Sequence, residues 1–308
     1  MNCTKTYFKL DNIAHLAVYF GVNVLLGAMS AVLNAFIIFV IMSSERLRSS
    51  PSYLLISNLC LTDLATGLIS QPISLMVVLK ESWFGVHCSV IKAQFGGVPI
   101  ANFFFGAASL LTATVISIDR FIAVHLQNSY RLVVSKKRSY VIIAGIWLYS
   151  LLTLAYQADA PLPFFYIVAI TISVCLIVLC VSYRKCFTAI RNHKQRIADM
   201  SNAATEAVDL DKYRHAMITM VISATVLFGV YFQLLCALSL YRRIRFGAEI
   251  LRLSETIVYF NSTFNPILYL CRIRDIRVGC VRIIRNLRCN AVVDSNSQKL
   301  NAVNPAGH

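Results

Sequence analysis

Long apolar runs separated by short polar stretches set the pattern of this chain. Seven can be marked: His15–Met42, Tyr53–Leu79, Gly96–Val124, Val141–Ala158, Leu162–Cys186, Ala216–Leu240 and Ala248–Cys271. Each is long enough for a helix to cross a hydrocarbon core about 30 Å thick. A soluble domain has no need of such runs. The short connections place all seven in one body, with neither an internal repeat nor a low-complexity tract. The pattern predicts an all-α fold, a seven-transmembrane helix bundle over 15–271 preceded by a short outer segment, 1–14.

Past the seventh run the period changes. Ile273, Ile276, Cys280, Ile283, Ile284 and Leu287 share one helical face, while Arg274, Arg277, Arg285 and Arg288 take other positions. This predicts an amphipathic helix, 272–288, lying on the inner leaflet, followed by a polar, disordered cytoplasmic tail, 289–308.

Composition agrees with the pattern. The chain is 57% hydrophobic and only 14% charged, too few charges for a soluble domain of this size. Its formal charge of +15 suggests nucleic acid until the basic residues are mapped. With the amino terminus outside, Arg46, Arg48, Arg131, Lys136, Lys137 and Arg138 fall inside, as do the clusters Arg184–Arg196 and Arg272–Lys299. That asymmetry gives an extracellular amino terminus and a cytoplasmic carboxy terminus. The surplus faces anionic membrane lipid, and no nucleic-acid partner is expected. The first dozen residues are polar and the run after them is too long for a cleavable signal, so span one serves as the insertion signal. Asn2-Cys3-Thr4 is a glycosylation sequon on the outer side; Asn261-Ser262-Thr263 has the same form but lies within a span.

Polar residues inside the apolar runs carry the candidate chemistry. Asn34, Asp63, Ser109, Asn261, Ser262 and Asn265 fall at similar depth. Asp63 is either a protonated carboxyl acting as structural glue or a functional site, and its polar company favours the second. Asn261 and Asn265 are four apart on one face, and Pro266 lacks the N–H that would bond the Ser262 carbonyl, so the seventh helix can bend there. Arg120 lies about 16 Å beyond Ser109 along a helix, at the inner edge of the core. There it either snorkels to headgroups or is held by Asp119.

Asn34, Asp63, Asp119-Arg120-Phe121, Trp147 and Asn265-Pro266-Ile267-Leu268-Tyr269 recur in register across these spans. The chain therefore resembles a rhodopsin-like (class A) G-protein-coupled receptor from span one through the helix after span seven. The resemblance implies a plasma-membrane receptor that binds an extracellular ligand and activates a heterotrimeric G protein, with arrestin as a second inner partner. It implies a sodium ion as an allosteric ligand at Asp63, Ser109, Asn261, Ser262 and Asn265, with no cofactor required. Carboxylate, hydroxyl and amide oxygens suit a hard cation. It implies an activation switch of Asp119, Arg120, Tyr183, Phe232, Pro266 and Tyr269. It implies a ligand pocket of Asn102, Gly106, Ile167, Thr171, Leu235, Cys236, Ser239, Glu255 and Tyr259.

The departures from the family pattern are specific. Phe121 replaces a tyrosine, Cys175 a span-five proline, and span six has Phe232 and Leu234 where the family has tryptophan and proline. The second outer loop, Ala158–Phe164, contains no cysteine, so the usual tie to span three has no partner there. A Cys3–Cys88 disulfide is the alternative. Cys280 and Cys289 are candidate palmitoylation sites. Amine receptors place an aspartate where Asn102 stands and light sensors a lysine where Tyr259 stands, which disfavours monoamines and retinal. Glu255 either receives a cationic ligand group or pairs with Arg252. Arg242, Arg243 and Arg245 either attract an acidic ligand or form a solvated loop. The short outer loop and missing proline lean toward the melanocortin, adenosine and lipid receptor group.

An ion- or proton-coupled transporter is the rival reading, with Asp63 as a relay. It predicts paired broken helices, and Pro266 has no counterpart. An enzyme is not expected, since no metal cluster or nucleophile–base set is present.

Overall fold

The computed structural model describes residues 13–84, 100–126, 129–159, 161–198, 225–237 and 247–286, and its regular elements there are all helical. In chain order they are α1 (Ile13–Ser43), a one-turn α2 (Glu45–Arg48), α3 (Pro51–Ala65), α4 (Gln71–Phe84), α5 (Ile100–Leu126) and a one-turn α6 (Tyr130–Val133). α7 (Lys136–Asp159), α8 (Pro161–Ala198), α9 (Thr225–Ala237) and α10 (Gly247–Arg272) follow. A last helix, α11, covers 274–286.

The bundle is apolar outside and polar inside. Val32, Leu152, Ile170 and Ile177 are each at least 60% exposed, whereas Asn34, Thr62 and Asp63 are fully buried. A soluble protein would show the reverse; this is the arrangement that lipid imposes. The stretches His15–Ser43, Pro51–Leu79, Ile100–Ala123 and Tyr166–Ala189 are long and apolar enough to cross a membrane by length and composition alone. α10 is less apolar because its inner face carries Arg252, Ser254, Glu255, Asn261, Ser262, Thr263 and Asn265, all buried in the bundle. Between the polar levels a common apolar core joins Ile37 of α1, Leu59 of α3, Leu110 of α5, Leu179 of α8, Val230 of α9 and Ile276 of α11.

Span two differs from the single regular helix that its pattern predicts. Thr66–Ser70 form a π-helical turn between α3 and α4. The cause is local: Pro72 has no N–H for the carbonyl of Leu68 and its ring crowds that carbonyl, and a wider turn relieves both. The widened turn lies against α1, where a Cβ on Gly67 would stand 2.8 Å from the Gly27 carbonyl oxygen and 3.2 Å from the Ala31 nitrogen. Only a glycine permits that approach. Gly67→Val is expected to cost about 1–3 kcal/mol through overpacking. Thermal unfolding of the purified protein checks this, and an unchanged midpoint would show that α1 yields freely.

One connection also departs from expectation. α7 runs to Asp159 and α8 starts at Pro161, so the described residues of the stretch Ala158–Phe164, read from the sequence as the second outer loop, are helical. Pro161 and Pro163 fit the first turn of α8, where a backbone N–H has no helical partner. α8 then runs 38 residues without interruption, with Cys175 buried where a proline would have bent it.

Candidate functional site

The middle level centres on Asp63, which is fully buried. Ser109 on α5 donates its hydroxyl to Oδ1 at 3.1 Å, and Asn265 on α10 donates Nδ2 to Oδ2 at 2.9 Å. The Ser262 hydroxyl also reaches this carboxyl. Three helices are thereby joined at one buried carboxylate. Asn261 lies buried alongside. Asn34, expected at the same depth, hydrogen-bonds elsewhere: its Nδ2 donates to the carbonyls of Ser30 at 2.8 Å and Ser262 at 3.1 Å. It ties α1 to α10, while Ser30 donates to the Asp63 carbonyl at 3.0 Å. Trp147 has a similar bracing role, donating Nε1 to Asn58 at 2.9 Å, with Asn58 donating to Thr112 at 2.8 Å.

The donor set around Asp63 fits a hard cation in its chemistry: one carboxylate, two hydroxyls and asparagine amides. Asn265, however, turns its amide nitrogen toward the carboxylate, so it holds Asp63 in place rather than offering an oxygen.

At the inner level Arg120 pairs with Asp119 at 3.1 Å, its side chain 29% exposed against 4% for the aspartate. Asp119 is gripped from two further elements. Ser52 of α3 donates to its Oδ2 at 2.9 Å, and Tyr130 of α6 donates to its Oδ1 at 2.6 Å. Burial, then the bond to Asp119, pushes the Tyr130 hydroxyl up to about 12, so it remains a protonated donor at neutral pH. Ser52 and Tyr130 were not legible as partners: one opens α3 after a proline, and the other lies in a loop helix whose position no periodicity gives. Phe121, in place of tyrosine, offers its ring to Lys185, whose Nζ lies 5.7 Å from the ring centre, a cation–π contact.

Arg120, Tyr183 and Tyr269 line one inner cavity of about 1360 Å³, together with Arg46, Arg274 and Arg282. Tyr53 donates to Asp275 at 3.0 Å, fixing α11 at the rim. Pro266 lies within α10 between Asn265 and Tyr269.

The outer level is a cavity of about 90 Å³ that includes Asn102, Gly106, Thr171, Glu255 and Tyr259 among its walls. Asn102 donates to Ser74 at 3.0 Å, and Ser74 pairs with Tyr259 at 2.7 Å. The remaining pocket expectations need correction. Val168 lines the cavity rather than Ile167, and Tyr231 and Leu234 line it rather than Leu235 and Cys236. Cys236 is exposed, and Ser239 lies outside the described residues. Phe232 is corrected for the same reason: it is 50% exposed and stacks on Phe228 at 5.6 Å. Tyr231 is the inward residue, 3% exposed, with its hydroxyl 3.4 Å from the Gly106 carbonyl. With no Trp-x-Pro pair to fix the register, the family resemblance points to an inward aromatic one residue too late in the chain.

The α11 face that includes Ile276 and Cys280 packs into the core, and Cys280 is 5% exposed. Asn2, Cys3, Cys88 and Cys289 lie outside the described residues.

Comparison with known proteins agrees with this layout. The 7 transmembrane receptor (rhodopsin family) profile matches residues 33–159. The human histamine H2 receptor is 25% identical over an alignment that covers 97% of this chain and 87% of that receptor. Human opsin-5 is 30% identical over 41% of this chain and 34% of its own length. The bovine adenosine receptor A3 is 26% identical over 44% of this chain and 40% of its own length. These relatives are receptors and an opsin, not enzymes. With the helical bundle and the landmark residues at three polar levels, the chain is similar to the rhodopsin-like family of seven-transmembrane, G-protein-coupled receptors.

Proposed function

We propose that this receptor takes an extracellular ligand into the outer cavity and activates a heterotrimeric G protein at the inner one. The observation that carries this reading is the stacking of three polar levels along α5 and α10. Asn102, Ser109 and Arg120 lie on one helix, and Glu255, Asn265 and Tyr269 on the other. A ligand that binds the inner-open form more tightly shifts the bundle toward it. Arg120 then leaves Asp119, the inner cavity widens, and a G-protein helix enters. Arrestin would use the same mouth. The basic inner surface faces anionic lipid, with the amino terminus outside.

A sodium ion would be held by the Asp63 carboxylate with the Ser109 and Ser262 hydroxyl oxygens, and it would supply a positive charge that a closed core can keep. Asn265 and Asn261 would orient and enclose that group. The full-length likeness to a histamine receptor does not carry its amine over, because Asn102 gives no counter-charge. The likeness to an opsin does not carry retinal, since Tyr259 cannot form a Schiff base.

A panel of G-protein dissociation sensors in cells expressing the chain, screened with peptide, lipid and nucleoside libraries, tests the proposal. Response of at least one sensor is expected, and silence across the panel with surface expression verified counts against it. Tyr130→Phe removes one bond to a buried charge and is expected to raise ligand-independent signalling by about tenfold at most. The basal sensor reading checks this, and an unchanged value would mean that α6 does not restrain Asp119.

A further inference from the structure

The outer cavity carries a statement about its ligand that deepens the proposed receptor role and rests on it. Its walls are mainly apolar, with Phe103, Phe104, Leu110, Phe164, Val168 and Leu234 among them. One polar wall interrupts them. There the described lining residues include a single carboxylate, Glu255.

Glu255 is already matched in charge. Arg252 stands 3.9 Å from it, and the two side chains are only 2% and 5% exposed. A cationic ligand at Glu255 would enter beside a buried guanidinium, with like charges close together in a region of low dielectric. An anionic ligand would face Glu255 itself, because Arg252 lies behind the wall and is not part of the lining. A zwitterion has the same difficulty at its anionic end. Each charged class therefore meets a like charge that repels it, and an uncharged ligand meets none.

The polar wall also specifies what that ligand must bring. Asn102 spends its amide N–H groups on Ser74 at 3.0 Å and on Glu255 Oε1 at 3.4 Å. Its Oδ1 is buried and accepts no hydrogen bond from the protein. Turning the amide over would set that oxygen against the Glu255 carboxylate, so the carboxylate fixes the orientation. An unmatched buried acceptor is costly, and a ligand that donates to it recovers that cost.

We infer that the outer cavity selects an uncharged, largely apolar ligand whose single polar head presents an O–H or N–H donor to Asn102 Oδ1. Alcohols, phenols and secondary amides are the matching class.

The test uses the full-length receptor in nanodiscs and matched probes on two skeletons, decyl and 2-naphthyl. Each is presented as alcohol, methyl ether, primary amine and carboxylic acid. Binding is read from the shift of the thermal unfolding midpoint over a concentration series. The alcohol is expected to bind about tenfold more tightly than its ether, and more tightly than the amine or acid. Asn102→Leu is expected to erase the alcohol–ether gap while the ether keeps its own affinity. If that variant does not fold, Asn102→Asp keeps the size and is expected to move the preference to the amine. The inference is overturned if the amine or acid binds best, if no alcohol stabilises the receptor, or if the gap survives Asn102→Leu. It is equally overturned if Asn102→Asp leaves the preference unchanged. Because binding is read without a G protein, the two readings separate. A bound alcohol that drives no sensor sinks the coupling and spares the ligand class, whereas a charged agonist that drives one does the opposite.

Discussion

Replacing Arg120 by alanine is expected to cut ligand-stimulated G-protein activation by about 5–150-fold while leaving ligand affinity within a few-fold. The fold should survive the change. Asp119 keeps its bonds from Ser52 at 2.9 Å and Tyr130 at 2.6 Å, so removing the guanidinium does not strand a buried carboxylate. The arginine itself is partly exposed into the inner cavity, and its loss leaves no sealed void. Signalling therefore falls because the group that leaves Asp119 is gone, not because the bundle loosens. Sensor responses and ligand binding on the same membranes check this, and normal signalling in the variant would remove Arg120 from the switch.

Asp63→Asn is expected to abolish any sodium dependence of agonist affinity. Asparagine is nearly isosteric and keeps an oxygen for the Ser109 hydroxyl, which now stands at 3.1 Å. It brings an amide nitrogen toward Asn265 Nδ2, now at 2.9 Å, and Asn265 can answer by turning its own amide over. One neutral hydrogen bond replaces a charged one, at about 0.5–1.5 kcal/mol. Asp63→Ala would be harsher, leaving Ser109 and Asn265 buried without their shared acceptor at about 1–3 kcal/mol each. The comparison separates stability from ion binding. Agonist competition in sodium and in N-methylglucamine is the measurement, and a sodium effect that persists in Asp63→Asn would place the ion elsewhere.

Much of this arrangement could be read from the chain because lipid simplifies the code. A polar residue in an apolar run must meet another polar group, so the sequence alone pairs Asp63 with Ser109 and Asn265. Asp119 beside Arg120 was legible for the same reason, since an adjacent opposite charge is the nearest available partner. What could not be read was rotation and reach. Tyr231 and Phe232 are neighbours of similar character, and only packing decides which turns inward. Tyr130 grips Asp119 from a short loop helix that no period positions. The π turn at Thr66–Ser70 adds a residue to one turn, which alters the facing of Ser74 and brings it to Asn102 and Tyr259. A regular helix drawn through Pro72 would have missed that wall.

The uninterrupted α8 has a mechanical consequence. At roughly 1.5 Å per residue its 38 residues extend about 57 Å, far beyond a hydrocarbon core of about 30 Å. Without an internal proline to absorb motion as a bend, the helix acts as a lever. A tilt of about 5° pivoting at its outer end would sweep its cytoplasmic tip through about 5 Å. Phe164, Val168, Thr171 and Ile172 line the ligand cavity near that pivot, while Tyr183 lines the inner one. A small wedge in the outer wall is therefore magnified at the surface where a G protein would dock, by leverage rather than by a hinge.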